Sequence, residues 1–329
     1  MWNVLNWLQK NLVWSIPLAM LVGLGFGQLA DPGFLRGAIL PLTFLMVYPM
    51  MVTMNVRDLF KPGGHRLQGT TLVINFVLMP AIGYGAGLLF FADQPMVRLA
   101  LLLTSLLPTS GMTISWTGFA KGNVPAAVKM TVVGLIAGSL LAPLYLKLLL
   151  GAVVEIPVLQ VFGQIALIVF LPLALGTLTQ RWLIGQHGEA KFNQQLKPKF
   201  PPFSTLGVLG IVFVSMALKS QDIFANPGLL PGLLLPLVLV YALNFAISTL
   251  VGRAMFQRGD AIALVYGTVM RNLSIALAIA MGVFGRAGAD AALLIALAYI
   301  VQVQAAAWYV KLTDRLFGPP PAPTPAKAA

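Results

Sequence analysis

The chain has 329 residues, of which 58% are hydrophobic and only 9% are charged, whereas an ordinary soluble domain carries about 25% charged residues. With a mean hydropathy of +0.88, this composition argues against a soluble enzyme, a disordered protein and a nucleic-acid-binding protein. The net charge of +12 comes from 21 Lys and Arg residues that form no basic face. We therefore predict a polytopic membrane protein that lies in the lipid bilayer and has no nucleic-acid partner.

Catalytic and metal-binding patterns are missing from the sequence. There is no Cys and there are only two His, which argues against thiolate zinc sites and histidine metal cages. HExxH, GxSxG and Walker-type loops are also absent, and these are the motifs that would indicate a metalloprotease, a hydrolase or a nucleotide-driven pump. We expect neither an enzyme nor a bound cofactor.

Ten apolar runs are long enough to cross the membrane, since about 20 residues span the roughly 30 Å hydrocarbon core. In chain order they are 12–30, 34–54, 68–92, 96–120, 124–150, 157–182, 200–218, 228–252, 260–284 and 290–312. Fourteen Lys and Arg residues lie on the N-terminal side of these spans, and five lie on the other side: Arg36, Arg98, Lys147, Lys219 and Arg286. Because basic residues are enriched in cytoplasmic loops, both termini are predicted to be cytoplasmic and the chain to lie in the cell (inner) membrane.

The two halves of the chain contain similar segments in the same order. IPLAMLVG from Ile16 matches LPLALGTL from Leu171, MNVRDLF ending at Phe60 (after Asp58) matches ALKSQDIF ending at Phe224, and Asn75-Phe76 matches Asn244-Phe245. Five spans per half is an odd number, so the second half enters the membrane with the opposite sense and the repeat is inverted. We predict repeats at 1–153 and 154–317, followed by a Pro-rich disordered tail at 318–329.

Two spans carry interruptions at equivalent places of the repeat. Span 4 contains Pro108-Thr109-Ser110-Gly111, and span 9 contains the stretch from Gly267 to Asn272. Broken helices of inverted-repeat transporters hold the solute near the bilayer midplane. We predict that helices 4 and 9 are broken and cross there, although two ordinary kinks are an alternative because Gly and Pro are common in membrane helices.

Arg271 lies about eleven residues into span 9, near the bilayer centre, where an Arg costs at least about 2.5–3.5 kcal/mol. All nine acidic residues fall in loops or at span ends. The expected partners of Arg271 are therefore backbone carbonyls, water or an anionic ligand. It is either a structural arginine bound to carbonyls, a substrate-binding residue, or a replacement for a coupling cation.

Other polar residues within the spans are open to two interpretations. Asn75 and Asn244 are mid-span amides that either bridge helices, which is their common use, or line a site. Lys129 lies five residues into span 5, and its ammonium either reaches the cytoplasmic interface or belongs to the site. The glycines within 23–27 and 134–138 are interpreted as helix-packing positions.

Several segments resemble the bile acid:sodium symporter family and the related arsenite permease family. They are Val47-Tyr48-Pro49-Met50-Met51, Asn75-Phe-Val-Leu-Met-Pro80, Phe119-Ala-Lys-Gly-Asn123, and Arg271-Asn272 followed by IALAIA. The resemblance implies ten helices in two inverted five-helix repeats. It also implies a panel domain (spans 1, 2, 6 and 7), a core domain (spans 3–5 and 8–10), crossing helices 4 and 9, and a substrate crevice between the domains.

The positions that bind sodium in these relatives differ here. An amide and a hydroxyl remain at two of these positions, Asn75 and Thr131. The other sodium ligands of the relatives are lost: the Ser-Asn pair of span 4 falls on Thr113 and Ile114, and the Ser of span 5 falls on Ala127. In span 9, the Glu falls on Gly267 and the Gln falls on Arg271. The Cys and Glu of the arsenite permeases fall on Thr109 and Ser274. The resemblance therefore implies a divergent member in which sodium coupling is doubtful and proton coupling is an option.

Together these features favour a secondary active transporter that moves a small anionic solute by alternating access, with degenerate sodium sites. The alternative is an arsenite-type metalloid efflux permease that uses oxygen ligands. The candidate residues for binding the solute or ion are Asn75, Thr109, Ser110, Thr113, Lys129, Thr131, Asn244, Arg271 and Asn272.

If a proton is coupled to transport, Lys129 is the expected carrier, because an ammonium can lose its proton when it is desolvated and a guanidinium hardly can. Transport by the wild type should then follow an imposed pH gradient, and transport by Lys129→Met should not. A wild type that ignores the gradient, or a Lys129→Met variant that still follows it, would contradict this role.

Overall fold

A computed structural model describes residues 2–54, 64–225, 228–285 and 287–319. Every regular element in these ranges is helical. The α-helices are α1 (Trp2–Lys10), α2 (Leu12–Leu29), α3 (Ile39–Thr53), α4 (His65–Val73), α5 (Met79–Phe90), α6 (Pro95–Leu106), α7 (Gly111–Phe119), α8 (Val124–Leu150), α9 (Val158–Ile165), α10 (Leu171–His187), α11 (Glu189–Lys191), α12 (Pro201–Ala225), α13 (Leu229–Met255), α14 (Arg258–Val269), α15 (Leu273–Phe284) and α16 (Gly288–Phe317).

Seven helical stretches in the described residues are long and apolar enough to cross a membrane. They are Pro32–Thr53, His65–Phe90, Val124–Leu150, Val158–His187, Glu189–Gln221, Leu230–Met255 and Gly288–Phe317. Three shorter apolar helices, Trp14–Leu29, Pro95–Leu106 and Leu273–Phe284, add to them. The protein is thus an all-α polytopic membrane protein, as the composition predicts.

Some of the sequence predictions fall on residues outside the described ranges. These are residues 55–60 of the first repeat motif, including Asp58 and Phe60, and residues 320–329 of the predicted tail. Four residues of the charge count also lie outside: Arg57, Lys61, Arg286 and Lys327.

The two predicted interruptions are present, but the second is shorter than predicted. The chain leaves the helix between Leu106 and Gly111, and again between Val269 and Leu273. The stretch 267–269 was expected to be unwound and is helical. It contains no Pro, and the Thr268 hydroxyl donates to the carbonyls of Leu264 (3.0 Å) and Val265 (2.9 Å) within the same helix.

A π-helical turn at Ile74–Leu78 lies between α4 and α5, and a proline explains it. Pro80 has no N–H to donate to the carbonyl of Phe76, four residues earlier, and its ring would clash with that carbonyl in a regular helix. The wider turn relieves the clash, and the hydroxyl of Tyr145 on α8 donates to the Phe76 carbonyl instead. Such turns are frequent at functional sites, and this one carries Asn75.

The helices form two groups that pack mainly within themselves. The four-helix group consists of α2, α3, α10 and α12. The break-containing group consists of α4–α8 and α13–α16. The groups meet where α12 packs on α16 and α3 packs on α15.

Glycines allow the closest approach within the four-helix group. A Cβ at Gly23 would lie 2.5 Å from the carbonyl oxygen of Phe213 on α12, and a Cβ at Gly27 would overlap the carbonyl of Ala217 one turn later. Gly25, between them, has open space around it. The helix-packing interpretation of Gly23 and Gly27 is therefore confirmed.

We expect Gly27→Ala to destabilise the protein by about 1–3 kcal/mol, because the added methyl overpacks the contact between α2 and α12. Gly25→Ala is the matched control, since it makes the same change in the same helix without a clash. Thermal unfolding in detergent should show a lower Tm for Gly27→Ala than for Gly25→Ala. Equal Tm values would contradict this account of the interface.

Candidate functional site

The two helix breaks lie against each other. Pro108 and Arg271 pair as an isolated antiparallel bridge, and the backbone N–H of Asn272 donates to the carbonyl of Leu107 at 2.7 Å. Buried backbone polar groups in a membrane need such partners, because no water is available in the hydrocarbon core. The pairing therefore stabilises unwound chain at this depth.

Thr109 in the first break has a left-handed backbone, with φ of 61°. This conformation is uncommon for a β-branched residue and is kept only where the surroundings enforce it. The Thr109 hydroxyl donates to the carbonyl of Thr131 on α8 at 3.2 Å. The same helix presents Gly134 and Gly138, where a Cβ would lie 2.6 Å from the Thr109 hydroxyl and 3.0 Å from the Pro108 ring. The predicted packing role of these glycines is therefore confirmed.

Polar residues cap both half-helices that begin at the breaks. At the start of α7, the Ser110 hydroxyl accepts from the N–H of Met112 (3.3 Å), and the Ser110 N–H donates to the Thr113 hydroxyl (3.1 Å). At the start of α15, the Asn272 side-chain oxygen accepts from the N–H of Ile275 at 3.3 Å. Three of the candidate site residues thus use polar atoms to satisfy helix ends.

The Arg271 side chain lies in the protein interior, with an exposed fraction of 2%. Its Nε donates to the carbonyl of Thr104 at 3.0 Å. Its Nη1 donates to the Asn75 side-chain oxygen (2.5 Å) and to the carbonyl of Thr268 (2.8 Å). Its Nη2 donates to the carbonyl of Ser105. All four acceptors are neutral oxygens.

Three of these acceptors belong to the last turns of α6 and α14, the half-helices that end at the breaks. The final four carbonyls of any helix lack partners within that helix, and they carry the negative end of its dipole. Two such ends therefore share one cation, which explains how an Arg is kept at this depth without a carboxylate beside it.

Asn75 and Asn244 bind neighbouring carbonyls of the same half-helix. The side-chain N–H of Asn75 donates to Gly267 and that of Asn244 to Thr268, each at 2.9 Å. Asn244 also accepts a hydrogen bond from the Ser248 hydroxyl at 3.2 Å. The two amides that the repeat pairs thus both stabilise the end of α14, and only Asn75 also contacts the cation.

Gln302 on α16, which is not among the predicted site residues, holds the backbone of Arg271. Its side-chain oxygen accepts from the N–H of Arg271 at 2.8 Å, and its side-chain nitrogen donates to the Arg271 carbonyl at 3.3 Å. The Tyr241 hydroxyl donates to the same side-chain oxygen at 2.9 Å. Gln302 is an amide in the middle of a span, so the signal that identified Asn75 was available for it too.

Most of the nine candidate residues meet at or beside the breaks, and Lys129 differs from them. Asn75, Thr109, Ser110, Thr113, Thr131, Asn244, Arg271 and Asn272 are buried there, whereas Lys129 is partly exposed on α8. The neighbouring side chain, Met130, lies against Gly267. Whether any of these residues binds a solute stays a prediction.

A large crevice of about 970 Å³ lies outside the breaks, between the two helix groups. It is lined by the ends of α2, α9, α12 and α15, by the loop after α2, and by the starts of α3 and α16. The polar and sulfur-containing lining residues include Gln28, Asp31, Gln164, Lys219, Gln221 and Met281. Lys219 on α12 also forms an ion pair of 2.5 Å with Asp290 on α16, so this pair joins the two groups. From Met281 to the start of α15 is about 12 Å at 1.5 Å per residue.

Comparison with known proteins identifies the family. The model of the sodium bile acid symporter family matches residues 40–226, which is more than half of the chain. The chain belongs to the sodium bile acid symporter family. As a member of this family it is a membrane transporter, which agrees with the resemblance noted in the sequence.

Individual relatives are similar at modest identity. An arsenical-resistance protein Acr3 from Corynebacterium glutamicum is 24% identical over 311 residues, covering 87% of this chain and 84% of that protein. An uncharacterized protein from Pseudomonas aeruginosa is 30% identical over 219 residues, covering 64% and 63%. A sodium/bile acid cotransporter 7 from Rattus norvegicus is 24% identical over 177 residues, covering 51% and 49%.

We expect Asn75→Leu to destabilise this family member more than Asn244→Leu does. Each change removes two amide hydrogen bonds, but only Asn75→Leu takes an acceptor from a buried cation, and bonds to charged groups contribute about 1.5–3 kcal/mol against about 0.5–1.5 kcal/mol for neutral ones. Thermal unfolding of the two variants in the same detergent measures the difference. An equal or larger loss for Asn244→Leu would mean that Asn75 contributes little to holding the guanidinium.

Proposed function

We propose that the protein is a secondary active transporter of a small anionic solute, which enters through the crevice between the two helix groups. The observation that carries this proposal is the crevice itself, about 970 Å³ in volume and lined by six separate helix ends. Cavities of about 300–1,000 Å³ accommodate small-molecule ligands. A crevice between two packed groups also suits alternating access, in which one group rocks against the other.

Lys219 is the basic residue of the crevice lining, and its charge favours an anion. The acidic residue of the same lining, Asp31, already accepts from the backbone N–H of Gly33 at 3.0 Å. Lys219 provides an ammonium group, and Gln28, Gln164 and Gln221 provide amide N–H donors. An anionic solute would compete with Asp290 for the Lys219 ammonium, and this competition would weaken a contact between the groups. We therefore assign the solute-binding charge to Lys219. Arg271 lines a separate cavity of about 10 Å³, and its bonds go to carbonyls and Asn75.

The architecture that we propose is two inverted repeats, residues 1–153 and 154–317, each with five spans. The four-helix group corresponds to the panel domain and the break-containing group to the core domain. Support comes from the two breaks, which lie at equivalent places of the repeat and pair with each other at Pro108 and Arg271. The excess of basic residues on the N-terminal side supports a cell-membrane protein with cytoplasmic termini.

A second candidate function is export of an arsenical. It is favoured by the similarity to the arsenical-resistance protein, which extends over 84% of that relative. The hydroxyl of Thr109 and the oxygen-rich surroundings of the breaks would then act in place of thiol ligands. A deletion strain that becomes sensitive to arsenite, and is rescued by the intact chain, would favour this candidate.

Uptake into proteoliposomes tests the anion proposal with a panel of small carboxylates, taurocholate and arsenite. For a solute that is transported, Lys219→Gln should raise KM by about tenfold, because a hydrogen bond to a charged group is lost. Lys147→Gln is the matched control, since Lys147 lies on the same predicted side, is exposed and lies outside the crevice lining.

Equal KM values for the two lysine variants would contradict the role of Lys219. A panel in which no anion is taken up would contradict the proposed function itself.

A further inference from the structure

We propose that the Arg271 guanidinium is a tethered cation that takes the place of a dissociable sodium ion, so that this family member works without sodium. The inference deepens the proposed function, because it concerns how the proposed transport is coupled. It depends on the contacts of one buried side chain and can be tested without a transported solute.

The acceptors around Arg271 form a cation site built of neutral oxygens. Backbone carbonyls at the ends of interrupted helices are the groups that hold sodium in secondary transporters. Here the carbonyls of Thr104 and Ser105 come from the end of α6, the carbonyl of Thr268 comes from α14, and the amide oxygen of Asn75 comes from the π-helical turn. Three separate segments thus direct oxygens at one positive charge.

The guanidinium occupies this site fully, and a sodium ion does not fit beside it. The adjoining cavity, which Ser105, Asn244 and Arg271 line, has a volume of about 10 Å³, the size of a single water. At Gly267, whose carbonyl accepts from Asn75, the sulfur of Met130 fills the neighbouring space, and a Cβ there would lie 2.6 Å from it. A second cation would also be repelled by the first in surroundings of low dielectric constant.

The backbone of Arg271 is held as firmly as its side chain. Gln302 binds its N–H and its carbonyl, and the bridge to Pro108 holds the same residue against the first break. The cation therefore stays in its site throughout the transport cycle, whereas a free ion would bind and leave.

Because the tethered cation does not bind and leave as a free ion does, transport is not coupled to a sodium gradient. A ligand shifts a conformational equilibrium only if its affinity differs between the states, and a covalently attached charge has no binding step to link to a sodium gradient. The negative helix ends remain neutralised in every state, with no ion taken from solution.

Thermal unfolding of the purified full-length protein in detergent tests the proposal. The Tm of the wild type should be the same in sodium chloride and in potassium chloride at equal ionic strength. Arg271→Ala should have a lower Tm, and millimolar guanidinium or sodium should raise that Tm by about 2–4 °C relative to potassium, because an ion that binds the vacated oxygens stabilises the folded state.

Arg98→Ala is the matched control. Arg98 is also a buried arginine of the break-containing group, with an exposed fraction of 7%, and its Nη1 donates to the carbonyl of Ala92 at 3.4 Å, away from the breaks. Its variant should gain nothing specific from guanidinium or sodium. Arg271→Gln provides a second test if Arg271→Ala cannot be purified, since it also removes the positive charge from the site.

A sodium-specific rise in the wild-type Tm would overturn the proposal, and so would equal responses of the Arg271 and Arg98 variants to guanidinium and sodium. These measurements need no solute. A failure to find any transported anion would therefore count against the proposed function and leave the outcome for Arg271 to be decided separately.

Discussion

The interior of this protein depends on one electrostatic contact, between a guanidinium and the negative ends of two interrupted helices. Breaking a helix inside a membrane leaves carbonyls that neither lipid nor water can satisfy. Arg271 donates hydrogen bonds to carbonyls at the ends of both α6 and α14. Asn75 and Asn244 donate to two carbonyls at the end of α14. The cost of burying a charge and the cost of breaking two helices thus offset each other.

Much of this arrangement could be predicted from the sequence, because intramembrane polar residues are rare and each needs a partner. Pro108 marked the first break, and the depth of Arg271, with all acids at span ends, limited its partners to carbonyls, water or a ligand. The second break was predicted too long, because Gly and Thr are compatible with a membrane helix when side chains such as Thr268 bond back along it. The family resemblance implies a crevice between the domains, but the residues that line it could not be predicted, since they come from six helix ends that only tertiary packing brings together.

Two positively charged residues, Lys219 and Arg271, have different surroundings in the structure, and the sequence alone could not show which of them is available to a solute. The order of the spans places Lys219 on the side of the membrane opposite the termini and gives it no role, whereas the structure places it in the lining of the crevice. Arg271, for which a substrate-binding role is one of three predictions from the sequence, has its hydrogen bonds directed to the protein itself. Depth in the membrane identifies a residue that needs a partner, but the identity of that partner depends on the arrangement of the helix ends.

The separation of about 12 Å between Met281 in the crevice lining and the break at the start of α15 has an evolutionary consequence. Substitutions along α2, α12 or the start of α16 can alter the size and polarity of the crevice without removing any donor from the carbonyls at the breaks. If the crevice holds the solute, as we propose, selection can change the preferred solute while the buried framework stays constant. This modularity offers a physical reason why relatives that are named for bile acids and for arsenicals share one family with this chain.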